Sequence, residues 1–137
     1  MRVIDTLVTD RTPADVAARN SKGTYNHGDL NRVGEALRYL ADLLNGCGYD
    51  IRVIAKQDWA ENDAPSAGQM AQYLADLAAV RGALAVMEET PTVPETMEKL
   101  TWQTANSIER ILRDVDVLLT NMMAAWFYSG EVYSGEV

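Results

Sequence analysis

The chain has 137 residues, 47% hydrophobic and 23% charged, with a formal net charge of −8. That composition excludes a disordered segment, and the length fits one domain burying roughly two thirds of its unfolded surface. Residues 1–87 carry 9 basic and 11 acidic side chains and residues 88–137 carry 3 and 9, so with no Lys/Arg cluster nucleic acid is not an expected partner.

The opening "MRVIDTLVTDRT" has no long apolar core behind Arg2. It is not expected to act as a signal peptide, and folding is expected in a cytoplasm. "RTPADVAARNSKG" carries a helix start and stop: Thr12 as cap, Pro13 at the first helical position, Asp15 at the positive end and Gly23 closing the turn. Val16 is its only large apolar residue, which predicts a short surface helix.

The best-defined element follows. In "YNHGDLNRVGEALRYLADLLNGCG", Asn26 is an N-cap and Asp29 can reach back to it as in a capping box. Leu30, Val33, Leu37, Leu40 and Leu44 recur at helical steps, Arg38 and Asp42 pair on the opposite face, and Gly46 and Gly48 end the helix. Cys47 is the only cysteine, so neither a disulfide within the chain nor a thiolate metal cage is expected.

"IRVIAK" (51–56) is short and β-branched, and "MRVIDTLV" shares its texture. A two-stranded ribbon pairing the two is one arrangement, stable only if packed on helices. After the loop "DWAENDAPSAG", Ser66 caps a helix marked by Met70, Tyr73, Leu74, Leu77, Val80, Leu84 and Met87. Its many alanines suit close, antiparallel bundle packing. A turn of helix is predicted at 94–100 inside a proline-bracketed connection. The last helix is predicted from near Thr104 to Tyr128, on the stripe Ile108, Ile111, Leu112, Val115, Leu118, Leu119, Met122 and Trp126. Its end, "VLLTNMMAAWFY", keeps only Thr120 and Asn121 as polar breaks. That stretch is too short for a bilayer, which needs ~20 residues, yet it is apolar all round and calls for cover on several sides. The fold class is therefore mainly α: a small bundle of three long helices plus short helices, with the ribbon as an open addition. Residues 1–128 form one helical domain and 129–137 a C-terminal arm.

Catalytic chemistry is hard to assemble from these residues. His27 is the lone histidine, in a turn beside Gly28, without an obvious nucleophile. Asp114 and Asp116 point apart on a helix, and Glu95 and Glu98 lie in a connection. "DWAEND" lacks the glycine and terminal glutamate of a calcium loop, and phosphate-binding and dinucleotide fingerprints are missing. The expectation is a non-enzyme with no cofactor, no metal site and no catalytic residue.

"DRTPADVAARNSKGTYNHGDLNRVGEALRYLADLLN" resembles small structural proteins and modules encoded in phages and prophages of Firmicutes. The pattern there is D-R-T…D-V, then K-G-x-Y-N-x-x-D-L-N-R-V and a helix ending in Y-L. "KQDWAENDAPSAGQM" and "AWFYSGEVYSGEV" are similar to the same group, and the most specific run is Tyr25, Asn26, Asp29, Leu30, Asn31, Arg32 and Val33. The resemblance implies a virion component near tail, baseplate or fibre genes, made in the bacterial cytoplasm and located in the virion. The implied partners are other virion proteins or further copies of this chain, and no membrane. A soluble prophage-encoded module acting on a host protein is the alternative.

Within that run Asn26 and Asp29 cap, Arg32 can pair with Asp29, and Asn31 has no evident local role, which makes it a candidate partner contact. The tail "YSGEVYSGEV" is expected to dock on a neighbouring subunit by strand addition or groove binding, with folding back onto its own bundle as the competing arrangement. The candidate interface is Trp126, Phe127, Tyr128, Val132, Tyr133, Val137 and Asn31.

Overall fold

A computed structural model of the chain describes the backbone of residues 2–136 and the side chains of residues 2–125. After a 3-10 turn, Val3–Thr6, come four helices: α1, Pro13–Ala18; α2, His27–Gly46; α3, Ala67–Gly82; and α4, Trp102–Glu136. The three long helices share one core. Val33, Leu37, Leu40 and Leu44 of α2, Leu77 and Val80 of α3, and Ile108, Ile111, Leu112, Val115 and Leu119 of α4 are fully buried in it. These are the apolar stripes of the sequence.

The caps form as expected. Thr12 and Asp15 make a capping box on α1, and Ser66 and Gln69 make another on α3. Asn26 Oδ1 accepts from Gly28 N–H, while Asp29 Oδ2 accepts from Asn26 N–H. One detail differs: Arg19, in the left-handed conformation, ends α1. Gly23 serves close packing instead, because a Cβ there would collide with the Asp15 carbonyl.

The long helices run in the same direction. Arg32, early in α2, meets Glu109, early in α4, and Tyr49 just beyond α2 meets Met122 far along α4. In α3, Tyr73 meets Tyr25 near the start of α2, whereas Arg81 near its end holds Thr90 and Pro91, with Thr90 bonded to Asp114. The antiparallel packing predicted from the alanines is therefore not adopted. Parallel helices require crossovers that carry the chain back, and the irregular segments 47–66 and 83–101 serve as these.

The first crossover replaces the predicted strand 51–56. Among the described residues there is no β-strand. Instead the chain climbs back along α2: Ile51 beside Asn45, Val53 beside Arg38, Lys56 beside Gly34, Trp59 beside Asn31. Eight extended residues cover about 26 Å, and the α2 span from Asn45 to Asn31 rises about 21 Å, so the strap reaches with a few ångströms to spare for a bend. Side chains take the place of a partner strand. Asn45 bonds both the N–H and the carbonyl of Ile51, Arg38 donates to the Val53 carbonyl, and Asp76 accepts from the Ile54 and Ala55 N–H groups at 3.1 and 2.8 Å. The Asp76 clamp holds Ala55 at a φ of 51°, where the strap bends.

The N-terminal segment does the same along α4. Arg2 pairs with Asp116 at 3.1 Å, Thr9 accepts from Arg113, Glu109 accepts from Val8 N–H, and Asn106 bonds both backbone groups of Arg11. In place of the predicted ribbon strand, residues 3–6 form the 3-10 turn. The predicted helical turn at 94–100 is also not formed; this stretch holds only bends and a turn. At the other end α4 continues past the predicted end at Tyr128 to Glu136.

A buried cluster of four charges joins these parts. Glu109, fully buried, accepts from Arg11 at 2.6 Å and from Arg32 at 2.6 and 2.9 Å. Asp29 accepts from Arg32 at 2.6 Å and from Arg11 at 3.4 Å. Arg11 also donates to the carbonyls of Lys22 and Val8 and to Asn106, so all of its guanidinium N–H donors are directed at acceptors. Burial opposes the charge on Arg32, but its bonds to Glu109 and Asp29 prevail and raise its pKa above the ordinary guanidinium value.

Two stability tests follow from this packing. Glu109→Ala leaves the buried Arg11 and the partly buried Arg32 short of a carboxylate and is expected to cost about 3–5 kcal/mol in urea unfolding; a loss under about 1 kcal/mol would mean water replaces the carboxylate easily. A Cβ at Gly34 would strike the Lys56 carbonyl, whereas one at Gly46 meets nothing within 4 Å. Gly34→Ala should therefore destabilise by about 1–3 kcal/mol, and Gly46→Ala should leave the urea midpoint unchanged or slightly higher.

Candidate functional site

A cleft of about 750 Å³ opens where α2 and α3 begin. Its walls come from four places: Tyr25, His27 and Leu30 at the start of α2; Trp59 and the loop after it; Met70, Ala71 and Leu74 of α3; and Met97 and Leu100 of the second crossover. The size falls in the range of ligand sites, and the floor is mostly apolar and aromatic. Glu61, Asp63, Glu95 and Glu98 also line it, all exposed, and among the lining residues there is no Lys or Arg.

Each wall is fixed by a specific contact. Asn31 Nδ2 donates to the Trp59 carbonyl at 2.9 Å, and Asn31 Oδ1 accepts from Trp59 N–H at 2.8 Å. Lys56 Nζ lies 4.8 Å from the Trp59 ring centroid. Trp59 is only 6% exposed, and its indole N–H has no acceptor among the described residues. Asp63 accepts from Ala60 N–H and turns the loop. The Tyr25 hydroxyl meets that of Tyr73 at 2.6 Å, and the Arg11 guanidinium sits 5.6 Å from the Tyr25 ring centroid. Through Arg11 the buried charge cluster reaches this wall.

Burial pushes the Tyr25 and Tyr73 hydroxyls well above their usual value near 10. Both stay protonated and neutral wherever the protein is folded near neutral pH. Tyr25 lines the cleft, and Tyr73 holds it from behind through the hydroxyl contact.

Asn26 and Asp29 cap as the sequence implies. Asn31 has a local role that the sequence did not reveal: both polar ends of its half-buried amide hold Trp59. Trp126, Phe127, Tyr128, Val132, Tyr133 and Val137 lie outside the described side chains. Of the acidic pairs, Asp114 accepts from Thr90 at 2.7 Å and Asp116 pairs with Arg2, both in structural roles. The His27 side chain makes no hydrogen bond among the described residues, and those residues contain no group of three or more potential metal ligands. No helix among them is long and apolar enough to cross a membrane.

Sequence reasoning passed over Arg11, Glu109, Asp76 and Trp59. One signal was available. Glu109 lies four residues after Ala105 and three before Leu112, Asp76 three after Tyr73 and four before Val80. An acidic residue centred on an apolar stripe is either an error of the pattern or a buried clamp.

A second surface lies at the far end of α4. Met122 packs against the core, whereas Met123, 39% exposed, and Ala124 and Ala125 do not. Val117, 45% exposed, begins this uncovered side. Comparison with known proteins finds no matching family model, no matching curated protein and no matching solved structure.

The tyrosine pair makes a pH prediction. A group whose folded pKa is raised contributes stability that is complete below the unfolded pKa and lost as pH climbs toward the folded value. Stability should therefore fall above about pH 10, by about 1.4 kcal/mol per pH unit for each such tyrosine. Tyr73→Phe should roughly halve this alkaline slope in urea titrations at stepped pH; an unaltered slope would show that neither hydroxyl is held back.

Proposed function

We propose that the protein is a non-catalytic structural or assembly component of a phage or prophage particle, acting through protein–protein contacts with the far end of α4 as its docking element. The observation that carries this reading is the exposure of α4 beyond the core: Met122 packs on the bundle, the described side chains after it, Met123, Ala124 and Ala125, are exposed, and the sequence stays apolar through Phe127. An apolar helix end in water lacks the cover that gives burial its free energy, and a partner chain or a second copy can supply it. The large aromatic residues of 126–128 are the type that dominates such contacts. The particle context rests on the resemblance of "KGTYNHGDLNRV", "KQDWAENDAPSAGQM" and "AWFYSGEVYSGEV" to tail-, baseplate- or fibre-associated proteins. The second reading, a soluble module acting on a host protein, draws support from the cleft.

Size-exclusion chromatography with light scattering tests the docking element. The full chain should self-associate or migrate with purified particles, and a chain ended after Ala125 should do neither while keeping its thermal midpoint. A full chain that stays monomeric at high concentration and is absent from particles would remove the proposal. Recovery from host lysate with one host protein, without particle incorporation, would favour the second reading.

A further inference from the structure

We infer that the cleft between α2, α3 and the 95–100 connection binds a cationic, apolar-anchored peptide segment of a partner protein. Two features select this occupant. The floor presents Trp59, Met70, Leu74 and Met97, which suit one or two large aliphatic or aromatic side chains. Around them Glu61, Glu95 and Glu98 stand exposed and make no side-chain hydrogen bond or salt bridge among the described residues, and no Lys or Arg lines the cleft to offset them. Three unpaired carboxylates flanking an apolar floor favour Lys or Arg on either side of an apolar anchor.

The same charges argue against occupation by this chain itself. The tail "YSGEVYSGEV" carries Glu131 and Glu136 and no base, and the net charge is −8. Of the basic residues nearby, Arg11 and Arg32 are held by Glu109 and Lys56 by Asp58, and Lys99, exposed between Glu98 and Leu100, is outnumbered by the acids of the rim. A second copy thus offers little positive charge, and a different, basic chain fits better. The cleft is separate from the α4 contact, so failure here would leave the particle-assembly proposal standing.

A fluorescein-labelled synthetic leucine–lysine amphipathic peptide is the probe, read by anisotropy against the full chain, with a leucine–glutamate counterpart as control. The lysine peptide should bind saturably, and the glutamate peptide should not. Binding should weaken with added salt. Glu61→Gln/Glu95→Gln/Glu98→Gln should weaken it about tenfold. Neutralising three exposed acids outside the cleft, Asp42→Asn/Asp50→Asn/Glu88→Gln, should change it less than about twofold. Ala71→Trp fills the cleft from an exposed position on α3 and should abolish binding without loss of helical circular dichroism. Equal weakening by the near and remote charge sets would reduce the effect to bulk attraction and overturn the inference. Retention of binding by Ala71→Trp, or absence of binding by the lysine peptide, would overturn it as well.

Discussion

Glu109 is the constraint on which this fold turns. It sits on the buried face of α4 with no exposure, and both of its oxygens receive two hydrogen bonds, three of the four from arginines. A buried ion pair is a weak net source of stability, because desolvating the charges offsets most of their attraction. Its effect is selective: any register that moves α2, α4 or the N-terminal segment leaves a charge buried and unpaired, which costs far more than a lost apolar contact. Arg11 extends that selection to the segment around Lys22 and to the Tyr25 ring. The apolar stripes say that three helices pack together, and the charge cluster says how they are aligned.

Alignment in one direction has a price in connections. Antiparallel helices join through short turns, whereas these three helices need two crossovers of extended chain. Such chain, lying in grooves of the bundle, cannot leave its N–H and carbonyl groups unpaired. The solution is one polar side chain per step: Asn45, Arg38, Asp76 and Asn31 along the first strap, and Asn106 and Glu109 along the N-terminal one. Gly34 belongs to the same scheme, since it lets the strap lie against the backbone of α2. The strap then fixes Trp59, and Trp59 forms part of the cleft floor, so the shape of the site depends on groups far along the chain from it.

What could be read in advance follows from this division. The period of Leu30, Val33, Leu37, Leu40 and Leu44 and the caps at Thr12, Asn26 and Ser66 are local, and they define α1, α2 and the start of α3. The straps were not legible, because β-branched residues in "IRVIAK" satisfy a strand pattern equally well; only the distant Asp76 and the nearby Asn45 decide against it. The local role of Asn31 was hidden for the same reason. An asparagine on the polar side of a helix reads as solvent-facing until the returning chain beside it is known. The cleft was invisible, since its walls come from four separated segments and no motif joins them. Even so, the stretches "KGTYNHGDLNRV" and "KQDWAENDAPSAGQM" both reach it.

The two surfaces argued to meet partners lie at opposite ends of the bundle. The cleft is at the end where α2 and α3 start, and the uncovered part of α4 begins beside Tyr49, past the end of α2. Between Trp102 and Met122 α4 rises about 30 Å, so one contact leaves the other open. The two ends also differ in chemistry. One is a concave apolar floor with a negative rim, which favours a basic partner. The other is a convex helix that exposes Val117, Met123, Ala124 and Ala125 beside Thr120 and Asn121, which favours a largely apolar groove. A single partner surface would not satisfy both. If both proposals hold, the parallel bundle between them, aligned by buried charge, sets two unlike contacts about 30 Å apart along α4.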